Sequence, residues 1–426
     1  MRNWVESRCV GLSKQPRMTV RHGLSFSELH AWLIKAGLAG ESETALLDGF
    51  CRRANDSGLP IARGVMIIDT LHPAYEGRAF FWRREAGQPQ TEQVEYGPSD
   101  EGEMAELWRR SVFFHLLQTG GSQLRVRFHA GETTDFPRLA KLREDGMSDV
   151  VAMITPFTGS DSIGEMDSLY CYWATDQPDG FADGDVEALA RLMPMLALAV
   201  KCVSLAGIAG TLVQTYLGRD AGQRVLQGGI RRGIAEKINA VLWYSDLRDF
   251  TRITDRAAPE QIIPFLNDYA EAVISSIYEH GGDVMKLIGD GALAIFASAS
   301  GEDACRNAIA AYDLLQDRLA RLNQRRTEDA EPTTQIGVGL HAGEVFYGNV
   351  GSQERLDFTV VGPAVNEVAR IAAMCRSADR EVLLSQAFAE AMARLERGRL
   401  VSVGRYALRG VERPQELFTL DPFWTL

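Results

Sequence analysis

Gly289-Asp290-Gly291 lies between the apolar runs 284–288 and 292–296, a pattern that predicts a hairpin with a carboxylate at its tip. A lone Asp-Gly turn is ordinary turn chemistry. Here a second carboxylate, Asp246, closes the β-prone run 241–245, and Asp249 follows three residues later as a rival. Carboxylate oxygens are the ligands that hard Mg²⁺ or Mn²⁺ prefers, with positions left open for water or phosphate. Lys286 precedes the Asp290 turn by four residues. Asn366 and Arg370 are four apart in a helical stretch and therefore share one face. Taken singly, each of these is a turn, a cap or a solvated side chain. Together they offer two metal-binding acids, a buried-donor candidate and a cation, which suits chemistry on a phosphate ester.

The blocks come in a fixed order. Val241-Leu-Trp-Tyr-Ser-Asp-Leu-Arg-Asp-Phe-Thr251 is followed by Asp283-Val-Met-Lys-Leu-Ile-Gly-Asp-Gly-Ala-Leu-Ala-Ile-Phe296. Then come Ile336-Gly-Val-Gly-Leu-His-Ala-Gly-Glu-Val-Phe-Tyr-Gly-Asn-Val-Gly351 and Asp357-Phe-Thr-Val-Val-Gly-Pro-Ala-Val-Asn-Glu-Val-Ala-Arg370. In that order and spacing they resemble the catalytic domain of the class III nucleotide cyclases, over roughly residues 236–420. The resemblance implies an α+β domain with a ferredoxin-like core. It implies an adenylate cyclase that turns ATP into cyclic AMP and pyrophosphate, using two Mg²⁺ or Mn²⁺ ions per site. Asp246 and Asp290 match the metal-binding aspartates, and the backbone carbonyl of Leu247 would complete one coordination shell. Asp249 departs from the family, which usually has Gly there. Lys286 matches the residue that meets adenine N1, and Thr359 its partner for the exocyclic amine. A lysine donor facing the N1–H of guanine would be mismatched, at a cost of about 1–3 kcal/mol. Asn366 matches the ribose-orienting residue and Arg370 the phosphate-facing cation. Arg409 falls near a lysine position that contacts terminal phosphates. In this family the acids come from one protomer and the remaining groups from the other, so a homodimer with two composite sites is expected.

The rest of the sequence bounds the setting. At 426 residues, two domains are expected. A net charge of −12 argues against a nucleic-acid-binding surface. Cys9, Cys51, Cys171, Cys202, Cys305 and Cys375 are scattered without a Cys-x-x-Cys pair, as in a reduced cytoplasmic protein. The first residues lack the apolar core of a signal peptide. Residues 192–213 are long and apolar enough to suggest a membrane span. Pro194, Lys201 and Ser204 within them favour a buried or dimer-forming helix.

These elements must position the chemistry. Residues 1–24 form a lead-in and 25–203 a mixed α/β domain. Its close, a strand followed by Ala174-Thr-Asp-Gln-Pro-Asp-Gly-Phe-Ala-Asp-Gly-Asp, resembles the end of a GAF domain and implies a sensor for a small molecule or other signal. Aromatic residues at 80–82 and 170–173 are expected to alternate between core and pocket, and His115 and His129 to be packed or exposed. Residues 204–235, rich in Gly and Arg in their second half, read as a hinge of short elements. The catalytic domain, 236–426, is expected to contain a helix near 258–280, the Asp290 hairpin and a helix near 302–323. A second hairpin through His341-Ala-Gly343 and a helix near 364–376 should follow, with the helices on one face of an antiparallel sheet. Two other readings compete with an adenylate cyclase: a guanylate or mixed-specificity cyclase, and a catalytically silent nucleotide-binding module.

Overall fold

The computed structural model describes residues 21–421 except 85–89, 99–101, 158–162, 165, 234, 395 and 409–413. Arg409 therefore lies outside the described residues, as does the lead-in up to residue 20. The chain forms two compact units, residues 1–209 and 210–426.

The N-terminal unit begins with α1 (Arg21–Ala39) and α2 (Glu43–Asp56), then β1 (Arg63–Asp69), β2 (Gly77–Arg83) and β3 (Gln90–Tyr96). Next come α3 (Gly102–Arg109), α4 (Val112–Thr119), β4 (Gln123–Val126), α5 (Pro137–Glu144), β5 (Asp149–Pro156), β6 (Ser168–Thr175) and α6 (Asp183–Leu217). The six strands make one antiparallel sheet in the order β3-β2-β1-β6-β5-β4. The aromatic alternation holds. Phe80, Trp82 and Trp173 are fully buried, with Trp173 against Phe50 of α2 and the Trp82 indole donating to Asp48 at 3.0 Å. Phe81, Tyr170 and Tyr172 turn to the other face, where α3, α4 and α5 pack. His129 contacts the Ser148 carbonyl, and the His115 ring packs tilted against Phe136. Helix α6 is long and apolar enough to cross a membrane by length and composition. Its Ser204 donates to Glu43 in a buried contact at 3.0 Å.

The second unit contains α7 (Arg219–Leu226), β7 (Ala235–Leu247), α8 (Phe250–Thr254), α9 (Pro259–Glu279), β8 (Asp283–Ile288) and β9 (Gly291–Phe296). It continues with α10 (Gly301–Glu328), β10 (Ile336–Gly351), β11 (Leu356–Val361), α11 (Pro363–Ser377), β12 (Val382–Ser385), α12 (Gln386–Ala391), β13 (Leu400–Tyr406) and β14 (Gln415–Leu420). The succession β7-α9-β8-β9-α10-β10 folds with its strands in the order β10-β7-β9-β8, all antiparallel. That is the split βαβ arrangement of a ferredoxin-like core. Strand β12 adds parallel to β10, and β14 and β13 extend the sheet beyond it.

Three expectations change. Helices cover both faces of this sheet, not one. Val241 and Trp243 point to the α9–α10 side, whereas Ala240 and Leu242 meet α7 and α11, so β7 is apolar on both faces. The hairpin placed through 341–343 does not exist. Strand β10 runs unbroken for 16 residues and turns only after Gly351 to pair with β11. Its glycines serve packing: a Cβ on Gly339 would lie 2.6 Å from the Ala372 nitrogen of α11. Finally, the stretch 204–235 is not made of short elements throughout. Helix α6 continues to Leu217, and α7 is docked: the Asp283 carboxylate accepts from the backbone N–H groups of Arg219 and Asp220 at 3.1 and 3.0 Å.

Candidate active site

Asp246 ends β7 opposite Gly337 of β10, and its neighbour Ser245 pairs with Ala292 of β9. The β8–β9 turn thereby brings Asp290 against it. Two residues permit this approach. Gly289 takes φ +61°, a left-handed turn that glycine adopts freely. Gly291 lies so close to β7 that a Cβ there would be 2.6 Å from the Ser245 carbonyl oxygen. The two carboxyl groups face each other closely enough to interact electrostatically. Partial burial, and then the charge of Asp290, raise Asp246 to about 6, with Arg376 opposing. Burial and the same two acids also raise the phenol of neighbouring Tyr244. A small cavity of about 200 Å³ lies under the turn, lined by Asp290, Leu266 and Asn267 among others.

The donor set fits divalent metal ions of the Mg²⁺ class. Among the described residues no cluster of three or more potential protein ligands occurs. Two facing carboxylates are nevertheless what such an ion takes when substrate phosphates and water supply the rest. The Leu247 side chain is a buried hydrocarbon with no donor atom, so only its backbone oxygen could act as a ligand. Asp249 is differently engaged. It adopts φ +55° and pairs with Arg252 at 3.3 Å and Arg376 at 3.4 Å. The left-handed backbone fits a position where the resembled family has Gly, and Asp is among the few other residues that accept it.

Lys286 owes its orientation to an irregularity. The β8–β9 register shifts between Val284 and Lys286, so Met285 is a bulged residue. Val284 packs on the α9–α10 side, and without the bulge Lys286 would follow it there. Instead Lys286 pairs opposite Leu293, on the α7–α11 side, and forms an ion pair with Asp357 of β11. Thr359 lies two residues beyond Asp357 and shares its side of β11, while Phe358 and Val360 between and beyond are buried. Lys286 and Asp357 thus form an ion pair at the strand that also carries Thr359.

Asn366 and Arg370 occupy α11, exposed and half-buried respectively, one turn apart after the Gly362-Pro363 start. Ala364 and Val368 seat that helix against Val345 and Val360. His341, buried beneath it, contacts Ser385 at 2.9 Å and Glu367 at 3.3 Å. Among the described residues, no hydrogen bond or ion pair joins Asp246 or Asp290 to Lys286, Thr359, Asn366 or Arg370. The fold brings together two groups, the acid pair and the Lys286–Asp357 ion pair, with Thr359 on β11 and Asn366 and Arg370 on α11. Asp357 and Arg376 escaped the sequence reading. Their partners lie on elements distant in the chain, and no spacing points to either.

Part of the chain also matches known proteins. The family model for the adenylate and guanylate cyclase catalytic domain matches residues 235–421. An uncharacterized protein of Mycobacterium tuberculosis is 30% identical over 209 residues, covering 48% of this chain and 38% of that protein. An adenylate cyclase of Anabaena cylindrica is 32% identical over 161 residues, covering 37% of this chain and 31% of its own length. The chain thus spans well under half the length of these relatives. Among solved structures, the guanylyl cyclase Cya2 shares 27% identity at a TM-score of 0.39, covering 45% of this chain and 98% of its own.

Proposed function

With residues 235–421 a nucleotide cyclase catalytic domain, we propose that this protein is an adenylate cyclase. It converts ATP to 3′,5′-cyclic AMP and pyrophosphate, and its N-terminal unit acts as a GAF-like sensor. The observation that carries the reading is the Asp246–Asp290 pair near the end of the central strand, with Lys286 shifted by its bulge and paired with Asp357 of β11. Asp246, Asp290 and the Leu247 carbonyl hold two Mg²⁺ or Mn²⁺ ions. When bound, these supply Lewis-acid stabilisation of the phosphates and of the attacking oxygen.

The chain's own residues do the positioning. Lys286 donates to adenine N1, and Thr359 accepts from the exocyclic amine, so ATP is favoured over GTP. Occupation of the base site requires Lys286 to leave Asp357. Asn366 orients the ribose so that the 3′-oxygen faces the α-phosphorus in line with the departing pyrophosphate. Arg370, and Arg409 near the terminal phosphates, bear the charge that develops on the phosphate oxygens. The site is composite, formed by two copies of the chain. Exposed Phe346, Val350, Val361 and Leu287 on β8, β10 and β11 supply apolar area for that contact. The free cysteines and the buried Ser204–Glu43 bond support a cytoplasmic protein with α6 packed in the N-terminal unit.

Product identification is the direct test. Purified protein with Mn²⁺ or Mg²⁺ is expected to form cyclic AMP from ATP and much less cyclic GMP from GTP. Asp290→Ala is expected to abolish turnover while leaving the circular-dichroism spectrum intact. Preferential use of GTP would overturn the substrate assignment, and an active Asp290→Ala variant the site.

A further inference from the structure

A cavity of about 690 Å³ lies over the α3–α4 face of the N-terminal sheet, a size suited to a small organic ligand. Strand register orders its floor. Tyr96, Gly77 and Asp69 stand in one row across β3, β2 and β1. Val94, Ala79, Ile67 and Tyr170 form the next row on that face, and Phe81, Val65 and Tyr172 the third. From the first row to the third is four residues, about 13 Å along the strand.

The two ends carry opposite charge. At the first row, Asp69, Glu76 and Asp167 line the cavity. The Tyr96 hydroxyl donates to Asp69 at 2.5 Å, and that of Tyr170 to Asp167 at 3.0 Å. At the third row, Arg138 stacks 5.2 Å over the Phe81 ring and donates to the Tyr172 hydroxyl at 3.0 Å. Arg63 and Arg83 line an adjoining cleft of about 310 Å³ that shares Phe81, Arg138 and Tyr172 with the main cavity. Arg110 joins the lining from the α3–α4 junction. Between the ends the surfaces are apolar. Trp108 of α3 meets Tyr170 edge to face, with centroids 5.7 Å apart. Val94, Met104, Leu107 and Leu117, all among the most exposed large apolar side chains of the unit, line the same cavity. Such a gathering marks a surface that a ligand covers.

We propose that this cavity binds an elongated aromatic organic anion. Its anionic group pairs with Arg138, Arg63 and Arg83, and a hydrogen-bond-donating group at its far end meets the Asp69–Asp167 side. A wholly apolar ligand would strip water from charged groups at both ends and return no polar contact, which is costly. A second anionic group would face the three carboxylates. The polarity therefore selects a molecule charged at one end and donating at the other, with a flat body stacked below Trp108. The proposal concerns binding alone and does not rest on the cyclase reading.

The test uses the full chain and three fluorescent naphthalenes: 5-aminonaphthalene-1-sulfonate, naphthalene-1-sulfonate and 1-naphthylamine. The aminosulfonate is expected to bind saturably, one per chain, about tenfold more tightly than either single-ended probe. Arg138→Ala is expected to weaken both sulfonates about tenfold and leave 1-naphthylamine unchanged, with Asp69→Asn weakening only the two amines. Leu107→Glu, at an exposed position that spares the floor, should exclude the sulfonates. Circular dichroism confirms the fold of each variant. Absence of saturable binding would overturn the proposal. Equal affinity for all three probes, or sulfonate binding indifferent to both Arg138→Ala and Leu107→Glu, would do the same.

Discussion

An aspartate at a strand end ordinarily titrates near 3.8, whereas Asp246 is raised to about 6 by partial burial and by Asp290 beside it. The folded chain therefore holds this proton more tightly than the unfolded chain. Ionisation then opposes folding, and stability falls as pH rises from about 4 to about 6. In chelator, Asp246→Asn is expected to raise the thermal midpoint at pH 7–8, with the gain disappearing below pH 4. Added Mn²⁺ is expected to stabilise wild type more than the variant, because binding to the folded state alone shifts the equilibrium. A gain of equal size at every pH would mean that charge repulsion is not its cause. The approach of Asp290 to Asp246 was legible in the sequence because the strand and turn patterns that carry them are short and ordered. The raised pKa of Asp246 was not, since it depends on how closely Gly291 lets the turn approach β7. Nor was the Lys286–Asp357 pair, which exists only after β8 is bulged and β11 laid beside it.

Elements were legible where one periodicity ruled. Helix α9 occupies Pro259–Glu279 against an expectation of 258–280, for its apolar stripe is uninterrupted. Where glycine clusters, the reading failed. A hairpin was expected through His341-Ala-Gly343, yet Gly343, like Gly337 and Gly339, marks close contact: Cβ atoms added at 337, 339 and 343 would meet Cys375, Ala372 and Ala364 at 3.1, 2.6 and 2.8 Å. Polar edge strand β3, Gln-Thr-Glu-Gln-Val-Glu-Tyr, has no apolar run to announce it. The segment after α6 shows the same limit. Its glycines suggested a hinge, but Gly218, at φ +89°, lets the chain pass within 2.6 Å of the Val284 carbonyl oxygen, measured from an added Cβ. Asp283 then fastens α7 through two backbone N–H groups, and Asp220 accepts from Tyr347 at 2.8 Å. Asp283→Ala leaves those groups without their charged acceptor at the start of a helix. The expected loss is about 1–3 kcal/mol, seen in urea unfolding of the full chain. No change in the midpoint would show that α7 docks by its apolar contacts alone.

At the scale of the whole molecule, the acid pair and the α11 residues share no hydrogen bond or ion pair among the described residues of one chain. Two arrangements remain open to a working enzyme: closure within a chain, or completion of each site by a second copy. Mixed dimers distinguish them. Asp246→Ala removes a metal ligand, and Arg370→Ala removes the phosphate-facing cation, so each homodimer should be inactive. If sites are composite, a mixed dimer places both lesions in one site and leaves the other whole. Random exchange makes about half the dimers mixed, each with one of two sites intact, so activity should recover to roughly a quarter of wild type. Asp246→Ala mixed with Asp290→Ala strikes the same side of every site and should recover nothing. Failure of the first pair to recover, with exchange demonstrated by differently tagged chains, would place Asp246 and Arg370 in one site of one chain. Recovery in the control pair would instead mean that the two aspartates do not act together.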